Sequence, residues 1–279
     1  MSLSTLFAAS VLGRATAGHN LVQDPRIDLL PDGPAGQRQF KVKAAESENR
    51  RSGANRLLKD RYGWRGYNQV NLPTDQSVHK FTLSAVENQI TIGTITVAFD
   101  GPDVLSADAT FGTEVAQLRS EGRRICEFTK LAVDPELGTK RVLAALFHVT
   151  YIVAHRIRGY DLLLIEVNPR HVRYYERMLG CKVLAAERLN KSVSAPAVLL
   201  AVDFDYIKAR IGEFGGHHAA AAQERSLYPF AFSLREEAVV ISRMLDRQRI
   251  AQRRLTDTGD PNGGDGRAAD ARADETSGY

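Results

Sequence analysis

Two short runs carry side chains whose types and spacing could move protons. The first, Arg124-Ile-Cys-Glu-Phe-Thr-Lys-Leu-Ala-Val133, sets Glu127, Thr129 and Lys130 into an otherwise apolar stretch that reads as a strand. A carboxylate there can serve as a general base if its surroundings lift its pKa from about 4.3. The plain alternative is an ion pair with Arg123 or Arg124. The second run, Asn168-Pro-Arg-His-Val-Arg-Tyr-Tyr-Glu-Arg-Met-Leu-Gly180, is a helix with its boundaries written in. Asn168 can cap it, Pro169 suits its first turn, and Gly180 stops it. His171 and Tyr175 lie four apart on one face of this helix, where they serve either proton transfer or packing. Cys126 and Cys181 fall on expected strands, lack metal-like spacing and have no evident base partner, so a covalent thiol intermediate is not expected.

The elements around these runs fix where they lie. Arg124–Val133, a long apolar helix and Asp161–Val167 form a strand–helix–strand unit, which calls for a parallel pair with the helix across one face. The helix after Asp161–Val167 therefore begins at the C-terminal end of a buried strand, where open α/β sheets place ligands. Upstream, Gln39–Ala44 reads as a short strand and Glu46–Tyr62 as a helix with Leu57 and Leu58 inward. The aromatic loop of Tyr62, Trp64 and Tyr67 either packs onto the core or closes over a ligand. His79–Ala85 and Gln89–Ala98 are a strand pair, with Gly93 marking a bulge or a close backbone approach. Asp108–Glu121 is a short helix with Leu118 facing in. Downstream come strands at Cys181–Glu187 and Ala195–Phe204, then a helix from Asp205 that breaks after Phe214. Ser233–Leu255 is a charged helix with Leu234, Ala238, Ile241, Leu245 and Ile250 as its apolar stripe.

The 279 residues, 43% apolar and 25% charged, provide for one good-sized domain with extensions. We divide them into a flexible arm (1–36), a domain (37–218), a helical extension (219–255) and a disordered tail (256–279). The net charge of +4 suits an acidic protein as well as nucleic acid. Two thiols are consistent with a reducing, cytoplasmic setting. No apolar run approaches the length of a membrane span. Leu3–Gly13 is apolar and Ala15-Thr-Ala17 is shaped like a cleavage site. Yet the start lacks a basic region and Arg14 lies in the would-be cleavage segment, which favours an arm over a signal peptide.

The run Cys126-Glu-Phe-Thr-Lys-Leu-Ala-Val-Asp134, with Val167-Asn-Pro-Arg-His171, Tyr174-Tyr175 and Leu179-Gly180, resembles the GNAT acyltransferases. Within them it is most similar to the FeeM-type long-chain N-acyl amino acid synthases, relatives of the acyl-homoserine-lactone synthases. Upstream, Gly93-Thr-Ile-Thr-Val97, Asp100 and Leu118-Arg119 extend the resemblance to roughly residues 39–215. It implies an α+β fold whose central mixed sheet splays at a parallel strand pair, with helices on both faces. It also implies direct transfer of a long fatty acyl group from an acyl carrier protein thioester to the amine of an amino acid. Glu127 would be the base with Thr129 beside it, and Lys130 stands where the lactone synthases carry Arg. Tyr175 would protonate the leaving thiolate or hold the acceptor, and His171 would orient the acceptor or relay its proton. A backbone donor for the oxyanion is expected from Leu131 to Val133, and substrate contacts from Phe128, Asn168 and Trp64.

The donor side departs from the acyl-CoA pattern. Gly138 is kept, but Lys140 replaces the second glycine of the pyrophosphate loop. Arg119, Arg123, Arg124, Lys140 and Arg141 could instead meet the single phosphodiester and acidic surface of acyl carrier protein, or could form a solvated face. The acyl chain would enter a tunnel lined by Phe128, Leu146 and Phe147, residues that would look the same as ordinary core. No metal or cofactor is expected beyond the acyl-phosphopantetheine donor, and neither nucleic acid nor membrane insertion. The alternatives are a lactone synthase, or an inactive module that docks through Arg247, Arg249, Arg253 and Arg254. The C-terminal helix could also fold back on the domain or pair two subunits.

Overall fold

The computed structural model describes residues 23–24, 38–63, 71–72, 79–102 and 105–257. The expectations for the N-terminal arm, for Trp64 and Tyr67, and for the C-terminal tail lie outside the described residues. Strands β1 (Gln23–Asp24) and β2 (Arg38–Gln39) pair with each other, apart from the main sheet. The main sheet is built from β3 (Lys41–Ala44), β4 (Lys80–Glu87), β5 (Ile90–Phe99), β6 (Ile125–Val133), β7 (Leu162–Val167), β8 (Lys182–Asn190) and β9 (Ala195–Asp203). Its seven strands run in the order β3-β4-β5-β6-β7-β9-β8, with β6 and β7 parallel and every other neighbouring pair antiparallel. The helices are α1 (Glu48–Tyr62), α2 (Asp108–Ser120), α3 (Lys140–Tyr151), α4 (Val172–Leu179), α5 (Phe204–Phe214) and α6 (Leu234–Asp257). This is the α+β arrangement that the sequence suggested, helices on both faces included.

Local chemistry accounts for the main boundaries. Asn88 and Gln89, at φ 45° and 66°, make a tight two-residue turn between β4 and β5 that suits the strand twist. The Asn168 side chain accepts from the Arg170 amide at 3.3 Å and opens a 3-10 turn, Pro169–His171, that leads into α4. Gly180 ends α4 with φ 75°, a left-handed conformation in which a side chain would also strike Tyr206. At Gly93 a Cβ would come within 2.9 Å of Leu146. The close approach anticipated there is that of α3 onto β5. A register shift between β4 and β5 also falls beside it, at Ala85/Val86.

The sheet separates two cores. On one face α3 is buried without interruption from Val142 to Tyr151, as expected of a helix covered all round. Its π-helical continuation, Ile152–Ile157, packs in the same cluster with Cys126, Phe128, Leu163 and α5. On the other face α2 packs Phe111, Val115 and Leu118 against Ile125, Leu162 and Leu164, and α1 packs Ala54, Leu57 and Leu58 near Ala132.

The segment after residue 218 is not a separate unit. Leu227, Tyr228, Ala231, Phe232, Val240 and Met244 join the same core as α3. The expected stripe on α6 is also rotated, since Leu234 and Ile250 are exposed whereas Glu237, Val240 and Met244 are buried. A buried polar cluster sets this rotation. Glu237 accepts from His148 Nε2 at 3.1 Å and pairs with Arg156 at 2.9 Å, while the Phe232 amide donates to His148 Nδ1 at 2.9 Å. Removing one partner of a buried pair strands the other. Glu237→Ala should therefore lower the unfolding free energy by about 3 kcal/mol in urea titrations, and should expose α6 to limited proteolysis first.

Candidate active site

Strands β6 and β7 pair over Ile125↔Leu162, Cys126↔Leu163 and Glu127↔Leu164, and there the ladder stops. From Phe128 onward β6 has no partner on β7, although it continues to Val133 and β7 continues to Val167. The two strands splay, and Glu127 is the last β6 residue before the gap. Backbone groups of β6 that face the gap have lost their ladder partners and are open to another acceptor or donor.

Glu127 is fully buried, yet only one carboxylate oxygen is satisfied. Oε2 accepts from the Ser106 amide at 2.7 Å, and Oε1 has no hydrogen-bond partner among the described residues. Burial pushes its pKa up to about 7, with the nearby carboxylates of Glu166 and Asp108 adding to the shift and the Ser106 amide opposing it. The alternative of an ion pair with Arg123 or Arg124 does not occur. Arg123 pairs with Asp161 and Asp203, and Arg124 donates to the Arg158 carbonyl and lies over the Tyr160 ring.

The amide that holds Glu127 is itself braced. Arg119 forms ion pairs with both Asp100 and Asp108 at 2.6 Å, and Asp108 Oδ2 accepts from the Leu105 amide at 2.8 Å. Arg119 thus fixes the turn that delivers Ser106 to Glu127. It was expected at an acyl-carrier surface, and its pairing gives a different part. Arg119, Arg123 and Arg124 also lie at the opposite end of β6 from Lys140 and Arg141. At about 3.3 Å per residue the intervening strand is roughly 25 Å long, so the five cations do not form one patch.

Thr129 and Lys130 continue the site. Cross-strand partners share a face, so Lys80, Ala98 and Glu127 form one row on the α1/α2 face of the sheet and Thr82, Thr96 and Thr129 the next. Thr82 and Thr96 hydrogen-bond each other at 2.8 Å and are buried. A register shift opposite Ile95 then places both Lys130 and Leu131 across from one residue, with Lys130 at φ 52°. This bulge reverses the alternation. Leu131 and Val133 come to pack against the α3 core beside Phe128, and Ala132 turns to α1. Burial, followed by the charge of Lys80, lowers the Lys130 pKa, while Glu127 opposes the change.

Across the splay, on the α3 face, lies a small apolar cavity of about 30 Å³ whose lining includes Phe128, Phe147, Leu163 and Ile211. Phe128 and Phe147 were foreseen there. Leu146 was also foreseen, but it turns instead under Gly93. Tyr175 packs on this side of the gap. Burial, then Tyr62, Tyr174 and Cys181, raises its phenol pKa well above the ordinary value, so it stays protonated. Tyr62 donates to the Leu131 carbonyl at 2.7 Å and thereby fixes the bulge. His171, half-buried, accepts from Arg170 Nε at 3.3 Å at the start of α4. Asn168 spends its amide group on the Arg170 amide and the Pro196 carbonyl.

The loop between β6 and α3 is compact. Asp134 Oδ1 accepts from the amides of Glu136 and Leu137 at 2.9 and 2.8 Å, and Thr139 caps α3 by accepting from Val142 at 3.2 Å. Gly138 has no room for a Cβ, which would strike Val133 and the Asp134 carbonyl. Lys140 lies over the Phe230 ring at 5.9 Å, and Arg141 contacts His218 Nε2 at 3.0 Å. Sequence reasoning missed Ser106, the bracing by Arg119, and the two adjoining rows that bring Lys80 beside Glu127 and Thr82 and Thr96 beside Thr129. Thr and Lys alternating with apolar residues in β4 and β5 was the available signal.

A sheet opened at its parallel pair, with a buried carboxylate on one face and an apolar cavity on the other, defines a GNAT-type acyltransferase. The N-acyl amino acid synthase FeeM family matches residues 53–203, and the chain belongs to that family. The structure of FeeM, an N-acyl amino acid synthase from uncultured soil microbes, is 23% identical with a TM-score of 0.54, over 62% of this chain and 94% of that one. The AHL synthase LasI is 13% identical with a TM-score of 0.44, over 60% of this chain and 91% of its own. An acyl-CoA N-acyltransferase from Pseudomonas aeruginosa is 12% identical with a TM-score of 0.41, over 59% and 98%. No curated protein matches the chain. Among the described residues no helix is long and apolar enough to cross a membrane.

The raised pKa of Glu127 has a thermodynamic sign. The folded protein keeps a proton that the unfolded chain loses near the ordinary value of 4.5. The ionised form therefore costs stability, from nothing below that pH to a full penalty above about 7, on the order of 3 kcal/mol. Glu127→Gln should melt several degrees above wild type at about pH 8, and the difference should close by about pH 4, as measured by calorimetry.

Proposed function

We propose that the protein transfers a long-chain fatty acyl group from an acyl carrier protein thioester to the amine of an amino acid. The observation that carries this reading is the position of Glu127. It is buried, has one oxygen without a partner among the described residues, and is held near neutral pKa at the mouth of the splay. A carboxylate tuned in this way accepts protons near pH 7 far better than an ordinary one. The acceptor ammonium approaches from the α1/α2 face and gives a proton to Glu127 Oε1, directly or through water. The freed amine attacks the thioester carbonyl presented from the α3 face, and a carbon–nitrogen bond forms. Backbone N–H groups of β6 beyond Phe128, around Leu131 to Val133, receive the oxyanion. The carbon–sulfur bond then breaks and Tyr175, kept protonated, supplies the thiolate with a proton. The second amine proton returns to Tyr175 through solvent. Lys130 and Thr129 border the acceptor.

The small apolar cavity marks where the acyl chain enters the core, and burial there contributes about 0.8 kcal/mol per methylene. Lys140 and Arg141 at the capped start of α3 suit one phosphodiester better than a pyrophosphate, because the loop keeps only Gly138 of the two glycines that would cradle one. Both free cysteines are buried with raised pKa values, Cys126 chiefly by burial, which fits direct transfer and a reducing cytoplasm.

The test uses purified full-length protein, fatty-acyl carrier protein and a mixture of amino acids, with products read by mass spectrometry. Wild type should yield N-acyl amino acids, at a rate that rises with pH to a plateau above about 7. Glu127→Gln should fall by about a hundredfold or more in kcat/KM. Full activity in the variant would remove Glu127 as the base. Lactone products from S-adenosylmethionine, or no product from folded protein, would remove the reaction.

A further inference from the structure

Two lysines stand beside Glu127 without a counterion. Lys80 and Lys130 are both half-buried, and neither makes a side-chain ion pair or hydrogen bond among the described residues. The carboxylates near Glu127 do not serve them, because Asp108 pairs with Arg119 and Glu166 accepts from Asn190. A half-buried cation without a partner is costly, and a second cation nearby adds to the cost.

The backbone sets their placement. Lys80 and Glu127 stand in one row on the α1/α2 face with Ala98 between them, two strand spacings or about 10 Å apart. Lys130 follows three residues after Glu127, at φ 52° in the bulge, and Tyr62 pins the next carbonyl. A left-handed conformation on a residue other than glycine is strained, and it persists only where the surroundings enforce it. Burial lowers the Lys130 pKa, Lys80 lowers it further and Glu127 opposes both, so Lys130 lies within electrostatic reach of each. Two cations thus adjoin a carboxylate that has one oxygen unpartnered among the described residues. An α-amino acid carries the complementary pair, an ammonium and a carboxylate on a single carbon.

We infer that Lys80 and Lys130 together bind the carboxylate of the acceptor while its ammonium faces Glu127. The site therefore requires a carboxylate beside the amine, and it disfavours plain amines and amino acid amides. The inference rests on the acceptor reading of this face and adds to it Lys80 and the group that the site demands. A site built for a charged group disfavours the neutral analogue, because its own charges are then left unpaired.

The test reads binding apart from turnover. The probes are N-octanoylglycine and N-octanoylglycinamide, which differ only in that carboxylate. Each is titrated by calorimetry into the full-length protein and into Lys80→Gln, Lys130→Gln and the double variant, with folds checked by circular dichroism. Wild type should bind the acid about tenfold more tightly than the amide. Each single variant should shrink that preference and the double variant should abolish it, with affinity for the amide kept. Equal affinity in wild type would overturn the inference, as would a preference untouched by Lys80→Gln or surviving the double substitution. Failure of folded wild type to bind either probe would overturn it as well. Formation of N-acyl amino acids from the acyl carrier protein thioester is scored separately, and its absence would count against the acyltransfer reading alone.

Discussion

Every part of this site is placed by the loss of pairing between β6 and β7. The strands share three residue pairs and then part, although both continue. Backbone that leaves a sheet in a protein interior needs other partners, and the fold supplies some of them. Tyr62 takes the Leu131 carbonyl, the bulge at Lys130 turns the strand, and α4 starts from the end of β7. What remains unpaired faces the gap between two chemically different halves. One half is the hydroxyl- and charge-bearing face of β4, β5 and β6, and the other is the apolar volume under α3. In the proposed reaction an amine and a thioester need different surroundings and meet only at their reacting atoms, which is the division that the splay creates.

Electrostatics maintains the polar half. A lone carboxylate with one oxygen unpartnered among the described residues would be poorly held without support, and its support comes from a chain of contacts rather than a cation. Arg119 bridges Asp100 and Asp108, Asp108 fixes the turn at Leu105, and that turn gives the Ser106 amide to Glu127. Because the positive charge is spent on the two aspartates, Glu127 receives a hydrogen bond without a salt bridge and keeps its raised pKa. An arginine placed directly on Glu127 would have driven that pKa down and weakened it as a base.

Much of this was legible in the sequence. The strand–helix–strand unit, the capped helix after Val167 and Glu127 itself stand out because apolar periodicity and turn residues mark them locally. The bulge at Lys130 was hidden because no glycine announces it, and tertiary packing forces the left-handed conformation on a lysine. The bracing role of Arg119 joins groups eleven and nineteen residues apart, and only the folded turn reveals it. On α6 the apolar stripe misled, because the buried contacts of Glu237 with His148 and Arg156 outweigh the exposure of Leu234 and Ile250 in setting the rotation.

The most direct test of the two-sided site is a crystal structure with an N-dodecanoyl amino acid bound. The amide should lie in the gap beyond Glu127, with the amino acid on the α1/α2 face and the chain between Phe128 and Phe147. Chain and amino acid found together on one face, or an amide outside the splay, would contradict the account.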